Sequence, residues 1–148
     1  MKKSVNLFTI GFTQKNAKKF FDSLIGAGVK TVIDTRLNNI SQLAGFTKRV
    51  DIEYFLQEIG NIKYIHILDL APTKDILDAY KKNKGDWDIY EQQFLKLMSD
   101  RKIEKRITPE LLDSACLLCS EAKPHHCHRR LVAEYLNNQW GNIDICHL

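Results

Sequence analysis

A β-rich run, a helical stripe and a second β-rich run follow one another within residues 4–36, and this order dictates a parallel strand pair. "SVNLFTIG" is rich in strand formers and ends on Gly11. In "QKNAKKFFDSLIGAGV", Ala17, Phe20, Phe21, Leu24 and Ile25 recur at three- and four-residue spacing, the mark of a helix with one apolar face. Gly26 and Gly28 punctuate its end, and "KTVIDTR" is the next strand. A helix between two strands of one sheet returns the chain in the same direction.

The rest of the chain repeats the theme. "IKYIHILDL", "ACLLCSE" and "NIDICHL" read as strands three to five, and the second of these is apolar on both faces, hence central. Helices are expected over "DIEYFLQEIG" with Asp51 as N-cap, over "APTKDILDAYKKNKG", and over "DWDIYEQQFLKLMSDRKIEKRI". A short turn "TPELLDS", capped by Thr108, and a helix "PHHCHRRLVAEYLNNQW" complete the set. Residues 37–50 have no clean period and read as a loop with one helical turn. The expectation is a single α/β domain, 1–148: three layers, Rossmann-like, with a mostly parallel sheet of about five strands.

No apolar run is long enough to cross a bilayer, which argues against a membrane partner. "MKKSVNLFTIGF" reads as a first strand, not an export signal. The four cysteines, at 116, 119, 127 and 146, lack the spacing of a secreted disulfide framework. Reduced thiols in a cytoplasmic protein are therefore expected. A net charge of +4 permits phosphate contacts but gives only weak support to a nucleic-acid partner, through the basic stretch Arg101 to Arg106.

Parallel sheets bind ligands beyond the carboxyl ends of their strands. That rule selects Gly11 and Thr13 after the first strand, and Asp34 and Arg36 after the second. It also selects Cys119 and Glu121 after the fourth, and Cys127, His128 and Arg129 at the following helix. Cys116 and Cys119, three apart in a strand, face opposite sides and do not form half a zinc site. Cys119 and Cys127 can approach each other if "SEAKPHH" folds back.

Four functions compete. The first is an enzyme or ligand-binding protein for a small anionic, nucleotide-like molecule. Arg36 and Arg129 would hold the anion, helped by Gly11, Thr13 and Asp34. Cys119, Glu121, Cys127 and His128 would form the catalytic set. The second is a structural domain in which Asp34, Arg36, Glu121 and Arg129 satisfy one another. The third is a metal protein with zinc or iron on Cys119, Cys127 and His128. The fourth is a nucleic-acid accessory.

"TIGFT", "VIDTR" and above all "LLCSEAKPHHCHRRLVAEYL" resemble the DUF488 family. The specific element is C-x-E-x-x-P-x-x-C-H-R, met by Cys119, Glu121, Pro124, Cys127, His128 and Arg129. The resemblance spans nearly the whole chain and implies a Rossmann-like α/β fold. It implies no reaction, since the family's function is unassigned. Family members usually carry a histidine after the first-strand glycine, where this chain has Phe12 and Thr13. Many also carry a glycine-rich turn where this one has "LAPT".

Overall fold

The computed structural model describes residues 3–39, 45–82, 84–121 and 124–148. Its strands are β1 (Val5–Gly11), β2 (Thr31–Asp34), β3 (Lys63–His66), β4 (Ala115–Cys119) and β5 (Ile143–His147). All pair in parallel, in the order β3-β2-β4-β1-β5. The helices are α1 (Ala17–Gly26), α2 (Arg49–Gly60), α3 (Lys74–Lys82), α4 (Trp87–Arg101), α5 (Ile103–Arg106), α6 (Pro109–Leu112) and α7 (His128–Trp140).

Alternation along the strands builds two cores. In β4, Ala115 and Leu117 face one way, with Tyr90, Phe94 and Met98 of α4 and Leu131, Val132 and Leu136 of α7. Cys116 and Leu118 face the other way, with Phe20, Phe21 and Leu24 of α1 and Ile52 and Leu56 of α2. Every β4 residue is buried, as expected of the middle strand. The two faces follow from the handedness of the crossovers. From β1 to β3 the chain moves toward one edge, which puts α1 and α2 on one side. It then reverses, which puts α3 to α7 on the other.

Several boundaries differ from the sequence reading. The third strand ends at His66, and Leu68–Leu70 form a 3-10 turn. Its neighbour β2 stops at Asp34, whose carbonyl takes a last bond from the Ile67 N–H. The N-cap of α2 is Lys48, not Asp51, so Asp51 lies inside the first turn. The long helix breaks at Lys102 (φ 53°), which separates α4 from α5. Helix α7 starts at His128 rather than Pro124, because residues 124–127 are used to return the chain to β4. Thr108 caps α6 with Pro109 behind it, as expected. Of the 37–50 loop, 40–44 lie outside the described residues, and Gly45–Thr47 form the single helical turn. Among the described residues no helix is long and apolar enough to cross a membrane.

Candidate functional site

β2 and β4 are neighbours whose outgoing connections run to opposite faces of the sheet, the geometry that opens a crevice at the strand ends. A cleft of about 260 Å³ lies there. Arg36 borders it from the β2 exit, and Cys119, Ser120 and Glu121 from the β4 exit. Cys127 and His128 border it from the start of α7. Tyr80, Trp87 and Tyr90 supply an aromatic wall, and His126 stacks on Trp87 with ring centres 5.0 Å apart.

Arg36 is fixed from behind. Asp34, wholly buried, accepts two bonds from its guanidinium, Nε to Oδ1 at 2.9 Å and Nη2 to Oδ2 at 2.8 Å. The two residues share a face because they are two positions apart in extended chain. Tyr64 and Asn39 also donate to Asp34, at 2.6 and 3.4 Å. Burial pushes the Asp34 carboxyl up, but the bonds from Arg36 and Tyr64 outweigh it and hold the group below the usual carboxylate range. Arg36 also donates to the Thr47 carbonyl at 2.7 Å and lies over the Phe12 ring. His66 donates to the Arg36 carbonyl at 2.7 Å, a structural role. One donor is left over: Nη1 of Arg36 is buried with no hydrogen-bond partner, in a side chain only 4% exposed.

Arg129 is placed differently. It is fully buried and does not line the cleft. Its Nε donates to Thr9 at 3.2 Å, and its Nη1 donates to the Glu121 carbonyl at 2.7 Å and to Cys119 Sγ at 3.2 Å. It therefore props the β4 exit from behind. Gly11 lies against the same group: a Cβ there would stand 1.5 Å from the Glu121 carbonyl oxygen and 2.9 Å from Arg129 Nη1. Thr13 ties in through its backbone N–H to Ser120, with its side chain exposed. Gly11, Thr13, Asp34 and Arg129 thus form the framework of the cleft rather than its lining.

The Cys119 and Cys127 sulfurs are joined as a disulfide, in place of the free thiols expected from the sequence. The return of the chain at Cys127 brings the two together. Cys116 and Cys146 are free, the first buried and the second exposed on the edge strand. Burial pushes the Cys116 thiol up, which makes it inert. His128 donates through Nε2 to the Thr35 carbonyl at 2.7 Å, and Thr35 Oγ1 lies 3.0 Å from the same nitrogen. The Thr35 hydroxyl proton goes to the Leu118 carbonyl at 2.8 Å, so the imidazole proton sits on Nε2. Burial lowers the His128 pKa to about 4. The ring is neutral at pH 7. Glu121 is exposed at the rim.

Sequence reasoning missed the aromatic wall. Helical spacing puts Trp87 and Tyr90 on one face of the long helix without marking a site, and Tyr80 carries no signal. It also missed Arg101, whose Nη1 donates to the Asp69 and Ala71 carbonyls at 2.7 and 2.8 Å and steadies the turn leading to Pro72 of the cleft. Arg106 pairs with Asp69 at 3.1 Å. Two arginines of the basic stretch are therefore engaged within the protein.

No curated protein and no solved structure matches the chain. The family model described as "Domain of unknown function DUF488" matches residues 16–136, a span that takes in α1, β2 to β4 and the Cys119 to Arg129 motif. The chain belongs to the DUF488 family.

Proposed function

We propose that the cleft between the β2 and β4 exits binds a small anionic molecule, with Arg36 as its anchor, and that the protein acts on this ligand as an enzyme. The observation that carries the reading is the unpartnered Nη1 of Arg36. A buried donor without an acceptor costs on the order of 1–3 kcal/mol, more when charged, and a carboxylate or phosphate oxygen would remove that cost. Trp87 Nε1, on the same cleft, is a second buried donor without a partner. Cys127 caps α7 without a side-chain hydrogen bond, and this helix start borders the cleft as well. Tyr80, Trp87 and His126 add aromatic surface to the lining, against which a planar body could pack. A larger depression of about 1160 Å³ at the opposite end of the strands carries none of these unpartnered groups.

The chemistry would fall to Glu121, exposed at the rim, and to the Cys119 and Cys127 sulfurs once reduced. At about 260 Å³ the cleft suits a mononucleotide-sized or smaller ligand, not a dinucleotide. The test is thermal shift and calorimetry with phosphate, AMP and adenosine. Anionic compounds should raise the melting temperature as saturation increases, and adenosine should not. Arg36→Lys, which keeps the charge but not the fork, should weaken anion binding by about tenfold or more. Equal binding of AMP by the wild type and Arg36→Lys, or no response to any anion, would reject the reading.

A further inference from the structure

We propose that Cys119, Cys127 and His128, once the disulfide is reduced, form a zinc-class metal site whose remaining position opens into the cleft beside Arg36. The proposal deepens the reading above and rests on that cleft being a ligand site.

Three observations carry it. First, the Cys119 and Cys127 sulfurs and a ring nitrogen of His128 all lie within 4.8 Å of one another. Ligands on one tetrahedral zinc, at bond lengths of about 2.0–2.3 Å, stand roughly 3.5–4 Å apart, so small side-chain shifts suffice. The Cα atoms of the two cysteines are 7.4 Å apart, beyond the ordinary disulfide span of about 4.4–6.8 Å. The backbone thus leaves room for an ion between the sulfurs.

Second, the outer contacts of a metal site are present. His128 gives its Nε2 proton to the Thr35 carbonyl, which leaves Nδ1 as the nitrogen with a free lone pair. Arg129 Nη1 donates to Cys119 Sγ, a bond that orients the sulfur and offsets its charge. Third, all three ligands line the cleft that Arg36 also borders. Two thiolates and a neutral imidazole make up three protein ligands. A fourth place remains for water or for an oxygen of the bound anion, the pattern of catalytic rather than structural zinc.

The reduction step balances. A small dithiol gives two electrons and two protons to the Cys119–Cys127 bond and becomes a cyclic disulfide. The metal then displaces two thiol protons, which pass to solvent. Oxidised protein, with both sulfurs committed to each other, binds no metal.

The experiment is titration of the full chain with Co²⁺, before and after reduction and removal of the reductant. The reduced protein should show a thiolate-to-cobalt charge-transfer band and tetrahedral d–d bands that saturate at one ion per chain. Zn²⁺ should abolish them, and the oxidised protein should show neither. Cys119→Ser, Cys127→Ser and His128→Gln should each weaken binding by at least about tenfold, with folding checked by circular dichroism. Phosphate added to the cobalt form should shift the d–d bands. No charge-transfer band in the reduced protein, or unchanged affinity in both serine variants, would overturn the site. An unshifted spectrum would overturn its open position. Calorimetry of AMP on reduced, metal-free protein separates this outcome from failure of the anion reading.

Discussion

Asp34 and Arg36 show how much one buried pair constrains the chain. Removing one partner of such a pair leaves an uncompensated charge and costs about 3–5 kcal/mol. Asp34→Asn should lower unfolding stability by that order in urea titrations, whereas Tyr64→Phe, which removes one of several bonds to Asp34, should cost about 1 kcal/mol. Acid acts on the same residues. The Asp34 pKa is depressed in the folded protein, so its contribution is present above the unfolded value near 4 and is lost as pH falls below it through the lower folded value. His128 also has a depressed folded pKa, about 4 against 6.5, but in a base this means that the unfolded chain takes up the proton first. Stability of the oxidised, metal-free protein should therefore decline as pH falls from 6.5 to 4, by up to about 3 kcal/mol from this residue. Chemical denaturation across that range should show the slope, and His128→Gln should flatten it. Gly11 is the steric counterpart. Gly11→Ala drives a methyl into the Glu121 carbonyl and should cost roughly 3 kcal/mol or more by the same assay, as overpacking against backbone does.

At the scale of elements, the caps separate what sequence pattern can find from what it cannot. Thr108 followed by Pro109 is a signal in which side chain and backbone agree, and the structure places the cap there. Asp51 satisfied the residue preference, yet α2 begins two residues earlier, after an extended Lys48 that offers no side-chain bond. Thr108→Ala should thus cost about 1 kcal/mol, and Asp51→Ala no more than about 0.5 kcal/mol, in paired denaturation curves. The break at Lys102 was equally hidden. An apolar stripe continues through it, and only the left-handed backbone at Lys102, not the period, separates α4 from α5. The aromatic wall was hidden for a related reason. Helical spacing assigns Trp87, Tyr90 and Phe94 to one face, and it does not say that this face borders a cleft at its amino-terminal end.

For the whole molecule, parallel topology was legible because strand, helix and strand alternate with clear periods. Topology in turn located the crevice. The exits of β2 and β4 share one cleft with the start of α7, as the carboxyl-edge rule requires. Which residues face that cleft was not legible. Arg36 and Arg129 look alike in the sequence, each following a motif at the same sheet edge. In the fold, Arg36 borders the cleft and keeps one buried donor, Nη1, without a partner. Arg129 lies behind it, with Nε and Nη1 bonded to Thr9, Cys119 and Glu121 and Nη2 also left without a partner. The pairing of Cys119 with Cys127 was open as well, because a seven-residue return does not fix how closely two sulfurs meet.

The proposed role of Arg36 is to anchor an anion at the β2–β4 crevice. Crystals soaked in tungstate, a heavy tetrahedral oxyanion whose anomalous signal marks its position, test it directly. A strong peak is expected in the cleft within hydrogen-bond reach of the Arg36 guanidinium, absent from Arg36→Lys crystals grown and soaked in the same way. Tungstate bound only at surface lysines, with the cleft empty, would contradict it.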